Sequence, residues 1–149
     1  MFKAGQIIYF TPFYFENGKS GPKDKYFVVL ENSEDDAVLA SLPTRRNFIP
    51  DGLGEDTGCV EVPEINLNCY KLCKGQVITT NGKSFGFDTH LYGRQIRTYT
   101  YSWINDIYPN YEVDYIIWGE LLPDIFEKLK ACFRESDMVK NKYKRMLKS

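Results

Sequence analysis

"GPKDKYFVVLENSEDDAVLASLPTRR", residues 21–46, decides how the chain is read. Two apolar runs, Tyr26 to Leu30 and Ala37 to Leu42, flank the acidic segment ENSEDD. Aliphatic and aromatic runs bounded by turn-forming residues read as two strands of an antiparallel hairpin. Neither run alternates apolar with polar, so the hairpin is expected to lie centrally or against a partner. Four cations, Lys23, Lys25, Arg45 and Arg46, gather at its open end. A turn centred on residues 33 and 34 sets Lys23 opposite Thr44 and Lys25 opposite Leu42, which places Lys23, Lys25 and Thr44 on one face. A slip of one residue sends Thr44 to the other face. The cations have two readings, as lysines that discourage edge pairing and as a site for phosphate.

Outward from this hairpin, Gln6 to Thr11 reads as a first strand that stops near Pro12. The stretch ENGKSGPKD and the segment from Thr44 to Thr57 are rich in turn formers and read as loops. Cys59 to Val62 is a short strand ended by Pro63. Gln76 to Thr80 and Ser84 to Phe87 flank Asn81-Gly82, which predicts a further hairpin. Residues 88–111 have no clean period and read as an ordered connection with some strand or short helix. Tyr111 to Trp118 reads as a final strand ended by Gly119. From Pro123, the spacing of Ile125, Leu129, Cys132 and Phe133 predicts a helix. Ser136 is expected to cap a second short helix, with Val139, Tyr143, Met146 and Leu147 on one face and Lys140, Lys142, Lys144 and Arg145 around it. Many short strands with a late helix predict a mainly β, β-rich α+β fold: a small curved antiparallel sheet or SH3-like partial barrel with a C-terminal helix. A chain of 149 residues fits one domain, spanning 1–149.

Composition narrows the function. Nineteen Lys plus Arg against twenty Asp plus Glu leave a net charge of −1. No general field for polyanions is expected, so any nucleic-acid site must be a local patch. The hydrophobic fraction of 43% and aromatic fraction of 15% fit a packed globule. Nothing at the start resembles a secretory signal, so Cys59, Cys69, Cys73 and Cys132 are expected as reduced thiols in the cytoplasm. Cys69 and Cys73 are spaced C-x-x-x-C and would need Cys59 and His90 to complete a zinc tetrad; no metal and no cofactor is expected. No apolar run approaches the roughly twenty residues of a membrane-spanning helix.

The order GQIIYF, Gly-containing loop, KDKYFVVLEN, AVLASLPT, loop, GCVEVPE and WGELLPDIFEKLKACF resembles the PemK/MazF-like toxins of toxin–antitoxin systems. The resemblance covers Gly5 to about Val62 and Gly119 to Phe133. It leaves a family-atypical connection at about 68–110 and a basic tail at about 136–149. It implies a homodimeric, cytoplasmic, metal-independent endoribonuclease that leaves 2′,3′-cyclic phosphate and 5′-hydroxyl ends on single-stranded RNA and is neutralised by an antitoxin protein. The family's catalytic Arg and Thr fall on Lys25 and Thr44. Lysine there is a departure, since a guanidinium grips phosphate through two bonds while an ammonium is one compact charge. Lysine is also a poor proton acceptor at its usual pKa unless desolvated. Lys19, Lys23, Arg45 and Arg46 are the RNA-binding candidates. His90, with Arg94 and Arg97 nearby in sequence, is the additional candidate, and as the sole histidine it excludes a two-histidine mechanism within one subunit. The rival expectations are a non-catalytic module of the same fold that binds a protein, an antitoxin or a topoisomerase-type target, and a binding module whose middle segment carries the function.

Overall fold

The computed structural model describes residues 2–14, 21–42 and 57–147. The chain is mainly β, with two antiparallel sheets and a few helices. Strands β1 (Gln6–Phe13), β2 (Lys23–Asn32), β3 (Asp36–Leu42), β7 (Ile96–Thr100) and β8 (Tyr115–Glu120) form an open sheet in the order β7-β3-β2-β1-β8. Strands β4 (Gly58–Val62), β5 (Leu67–Leu72) and β6 (Thr89–Tyr92) form a second, smaller sheet. The helices are α1 (Tyr101–Ile107), α2 (Pro123–Arg134) and α3 (Asn141–Met146).

The hairpin lies where its two-sided apolarity requires, with β2 at the centre of the large sheet. On one face Ile7, Val28, Leu30, Val38, Ala40 and Leu42 pack with Tyr70, Leu72 and Leu91 of the second sheet and Ile125, Leu129 and Phe133 of α2. On the other face Ile8, Phe10, Phe27, Val29, Ala37 and Leu39 pack with Tyr101, Ile104 and Tyr108. The sheet is therefore a middle layer, which fits strands too apolar to face water on either side.

The register of the hairpin differs from the expected one. The turn centres on Glu34 and Asp35, fixed by Ser33 N–H donating to Asp36 O at 2.8 Å and by Asp36 N–H donating to Ser33 Oγ at 3.2 Å. A bulge at Leu30 then absorbs one residue of β2, and Leu42 faces Tyr26 rather than Lys25.

Other boundaries shift for local reasons. Strand β1 runs past Pro12 because the β1–β2 pairing is irregular between Phe10 and Phe13, where a missing N–H costs no ladder bond. Asn81-Gly82 does make a tight turn, with Gly82 at φ +80°, but the flanks are not paired strands. Across the turn Ile78 N donates to Lys83 O, and the backbone before it also bonds β8 and its end, through Thr80 N to Glu120 O and Leu122 N to Ile78 O, all at 2.9 Å. Gly119 does not end the last strand. It lies inside β8, where an added Cβ would sit 2.9 Å from Thr79 Cγ2 and from Asn81 Oδ1, so glycine permits the close approach of that turn. Tyr111 to Asp114 form a turn rather than the start of β8. The unreadable connection resolves into β6, β7 and α1, while β5, buried along its whole length, carried no periodic signal.

Helix α2 matches its pattern, burying Ile125, Leu129, Cys132 and Phe133. Ser136 does not cap α3, whose N-cap is Lys140. Its hydroxyl donates to Glu61 Oε1 at 2.9 Å and accepts from Met138 N at 3.1 Å, which holds a turn between the helices. Val139, Tyr143 and Leu147 are buried as expected, while Met146 is exposed.

The cysteines depart from expectation: Cys59 of β4 and Cys132 of α2 form a disulfide, leaving Cys69 and Cys73 as thiols. Folding brings edge strand β4 against α2, a proximity across 73 residues that spacing cannot reveal. With Cys59 committed to the bridge, the zinc tetrad considered from sequence is not available. No helix among the described residues is long and apolar enough to cross a membrane.

Candidate functional site

Of the cations at the open end of the hairpin, Lys23 and Lys25 lie in β2; Lys19, Thr44, Arg45 and Arg46 lie outside the described residues. Lys25 pairs with Phe10 and Lys23 with Phe13 across β1. Directly opposed residues share a face, so both lysines project from the face of Phe10 and Phe27. Lys23 is exposed and Lys25 is half-buried. Burial, and then the charge of Lys23, lower the Lys25 pKa below its ordinary value. The expected sharing of a face by Lys25 and Thr44 rested on a register the hairpin does not adopt.

The opposite face at this end is aromatic. Tyr9 and Tyr26 face each other across β1 and β2 and stack at 4.2 Å between ring centroids. Tyr26 meets the edges of Phe85 and Trp118, and those two rings stack at 4.8 Å and 2°. The Lys83 ammonium lies 5.0 Å from the Trp118 ring centre. Asp24, between the two lysines in sequence, points to this side and accepts from the Tyr9 hydroxyl at 3.4 Å. Burial and the Asp24 charge raise the Tyr9 pKa, so the phenol stays protonated as donor. Sequence reading missed this cluster. Its members come from β1, β2, β8 and the 83–87 loop, and only the alternation of Tyr9 against Phe10 and of Tyr26 against Lys25 hinted that two faces differ.

His90, Arg94 and Arg97 are not brought to the lysines. Arg97 is in β7 opposite Leu39, which pairs with Val29 of β2. That level is four residues from Lys25, about 13 Å along the strand, and two strands across. Its Nη1 donates to the carbonyls of Arg94 and Ile96, both at 2.9 Å. Arg94 reaches the Met138 sulfur at 3.8 Å.

His90 sits in the second sheet, opposite Lys71. It is 3% exposed, and its Nε2 has no hydrogen-bond partner. Burial, and then Lys71, lower its pKa; Asp88, 3.6 Å from Lys71 Nζ, acts in the other direction. His90 is thus held neutral in a packed layer rather than presented to solvent as a proton donor. Cys69, on the same sheet, is pushed up to about 12 by burial, so its thiolate is not populated near neutrality. The aromatic residues of 99–108 divide: Tyr101 and Tyr108 are core, while Tyr99 and Trp103 stack at 5.4 Å beside an open cavity.

No family model matches the chain, and no curated protein or solved structure matches it.

The chemistry available at the open end is that of two ammonium groups on one face, one of them desolvated, with a stacked tyrosine pair on the reverse. Paired lysines suit a phosphodiester, and the outer face of Tyr9 suits an unpaired base.

Proposed function

We propose that the protein is a PemK/MazF-like endoribonuclease toxin that cleaves single-stranded RNA at the open end of the β2–β3 hairpin. The observation that carries this reading is Lys25, a half-buried lysine whose ammonium is destabilised beside Lys23 on one face of β2. A lysine in its ordinary state holds its proton too tightly to accept one from a 2′-hydroxyl; a desolvated lysine holds it less tightly. In this reading the neutral amine of Lys25 takes the 2′-hydroxyl proton as the oxygen attacks phosphorus, and the 5′-oxygen leaves with a proton drawn from water. The products are a 2′,3′-cyclic phosphate and a 5′-hydroxyl. Lys23, with Lys19, Arg45 and Arg46, holds the RNA backbone, and Thr44 donates to a phosphoryl oxygen. The chain acts without metal or cofactor, as a cytoplasmic homodimer neutralised by an antitoxin protein. In a reducing cytoplasm Cys59 and Cys132 stay as thiols, and their apposition lets the bridge form when the isolated protein is oxidised.

The test is incubation of the purified protein with mixed-sequence RNA in chelator, alongside Lys25→Ala and Thr44→Ala, with the product ends mapped. Cyclic-phosphate ends that disappear in the variants are expected. Intact RNA under every condition refutes cleavage, and undiminished cleavage by both variants refutes the site.

A second reading, a non-catalytic module of the same fold that binds a protein, is favoured by the register: the slip that puts Leu42 opposite Tyr26 removes the pairing on which the Lys25–Thr44 constellation was built.

A further inference from the structure

The two edges of the large sheet are finished differently. At β8 the outward carbonyls are taken. Tyr115 O accepts from Glu112 N at 2.8 Å, Trp118 O from Asn81 Nδ2 at 3.3 Å, and Glu120 O from Thr80 N at 2.9 Å. Loops thereby close that edge to further pairing.

At β7 the outward groups are largely without partners among the described residues. Tyr101 N donates to Asp35 O at 2.8 Å, which makes residues 35 and 101 a hydrogen-bonded pair. By the alternation of an antiparallel ladder, Tyr99 and Arg97 also bond β3, while the N–H and C=O groups of Ile96, Thr98 and Thr100 point away from it. Ile96 O is held by the Arg97 guanidinium, and Thr100 Oγ1 accepts from Trp103 N. No hydrogen bond to Thr98 N–H or C=O is seen among the described residues, and Arg97, Thr98 and Thr100 are exposed. Such an edge is a template for one more strand.

The side chains beside it define what that strand carries. Arg97 and Tyr99 project from the same face of β7, and Tyr99 with Trp103, Thr98 and Thr100 lines an open cavity of ≈460 Å³. Among the described residues Arg97 is engaged through Nη1 alone, and its other donors suit a carboxylate. Arg94 adds charge at the Ile96 end. On an added strand, the residues opposite Arg97 and Tyr99 are two apart and on one face.

We propose that the outer edge of β7 binds an extended acidic peptide segment of a partner protein by strand addition, with a Glu or Asp against Arg97 and, two residues away, an apolar side chain in the cavity at Tyr99 and Trp103. The main-chain groups of Thr98 give the segment its hydrogen bonds, and Arg97 supplies selectivity, since a like charge opposite it is repelled. This surface is separate from the lysine site and stands whether or not RNA is cleaved.

The probe is a fluorescein-labelled peptide, acetyl-Thr-Thr-Leu-Thr-Glu-Thr-amide, titrated into the full chain and followed by fluorescence polarisation. In antiparallel addition it sets Leu at Tyr99 and Glu at Arg97. Saturable binding is expected, with a loss of about tenfold or more on N-methylating the Thr between Leu and Glu, because that N–H faces Thr98 C=O. Replacing Glu by Lys weakens binding similarly, and Arg97→Glu, an exposed change whose fold is checked by circular dichroism, reverses the preference. The proposal is overturned if no binding is seen at millimolar peptide, if the N-methylated peptide binds as tightly as its parent, or if Arg97→Glu leaves the preference unchanged. Cleavage of RNA is read in a separate assay on Lys25, so either result can fail alone.

Discussion

Cutting the Cys59–Cys132 bridge should lower the stability of this fold by about a quarter to a half of what a domain of its size possesses. The bridge joins residues 73 apart, from an edge strand of the small sheet to the helix that covers the large one. In the chain-entropy account, closing a loop of that length removes about 15 cal/mol/K from the unfolded ensemble, or roughly 4 kcal/mol at 25 °C. For a chain of this size that corresponds to about 10–15 °C in Tm. Cys59 is exposed while Cys132 is buried, so Cys59→Ala removes the link without opening a cavity under α2. Thermal unfolding is measured for wild type and Cys59→Ala, each with and without reductant, and thiols are counted in denaturant. Wild type should expose two reactive thiols, Cys69 and Cys73, and its Tm should drop on reduction to near that of Cys59→Ala, which itself should not respond. Four thiols in unreduced protein, or a wild-type Tm indifferent to reductant, would refute the reasoning.

Three further outcomes are expected. Gly93→Ala should destabilise the fold by about 1–3 kcal/mol in urea titrations, because its Cβ would lie within van der Waals contact of Asn68 Oδ1 and 2.7 Å from Val139 Cγ2; an unchanged midpoint contradicts the packing. His90 has a folded pKa below its unfolded value of about 6.5, so the unfolded state binds the proton first. Its contribution is complete above about 6.5 and is lost as pH falls from there to the folded pKa; His90→Gln should flatten that part of the stability profile, and an unaltered slope counts against it. If Lys25 accepts the 2′-hydroxyl proton, kcat/KM for RNA cleavage should rise with pH through an inflection below the usual lysine value, since burial and Lys23 favour the neutral amine. Lys25→Arg should abolish that inflection; a persistent one assigns it to another group.

Local chemistry was legible in the sequence. The central hairpin follows from two non-alternating apolar runs around ENSEDD, and α2 follows from Pro123 and the helical spacing of Ile125, Leu129, Cys132 and Phe133. Both patterns are written in neighbouring residues, and both elements occur where they were read. The lysines of β2 were legible as a pair on one face for the same reason, the two-residue period of a strand.

What the sequence left undecided depends on contacts between distant segments. Leu30 looks like any other residue of an apolar run, yet its bulge, with a turn set by Ser33, moves the register by one and sends Lys25 away from Leu42. Gly119 reads as a stop, and only the approach of Thr79 and Asn81 makes it an interior residue of β8. Residues 67–72 are buried on both faces and have no period to read. Composition and local pattern thus determined a central, two-sided β hairpin with a late amphipathic helix. Tertiary structure alone decided the register, the Cys59–Cys132 pairing, the burial of His90 away from the lysines and the place of β7 at the edge of its sheet, because each depends on which remote backbone fills the space beside a residue.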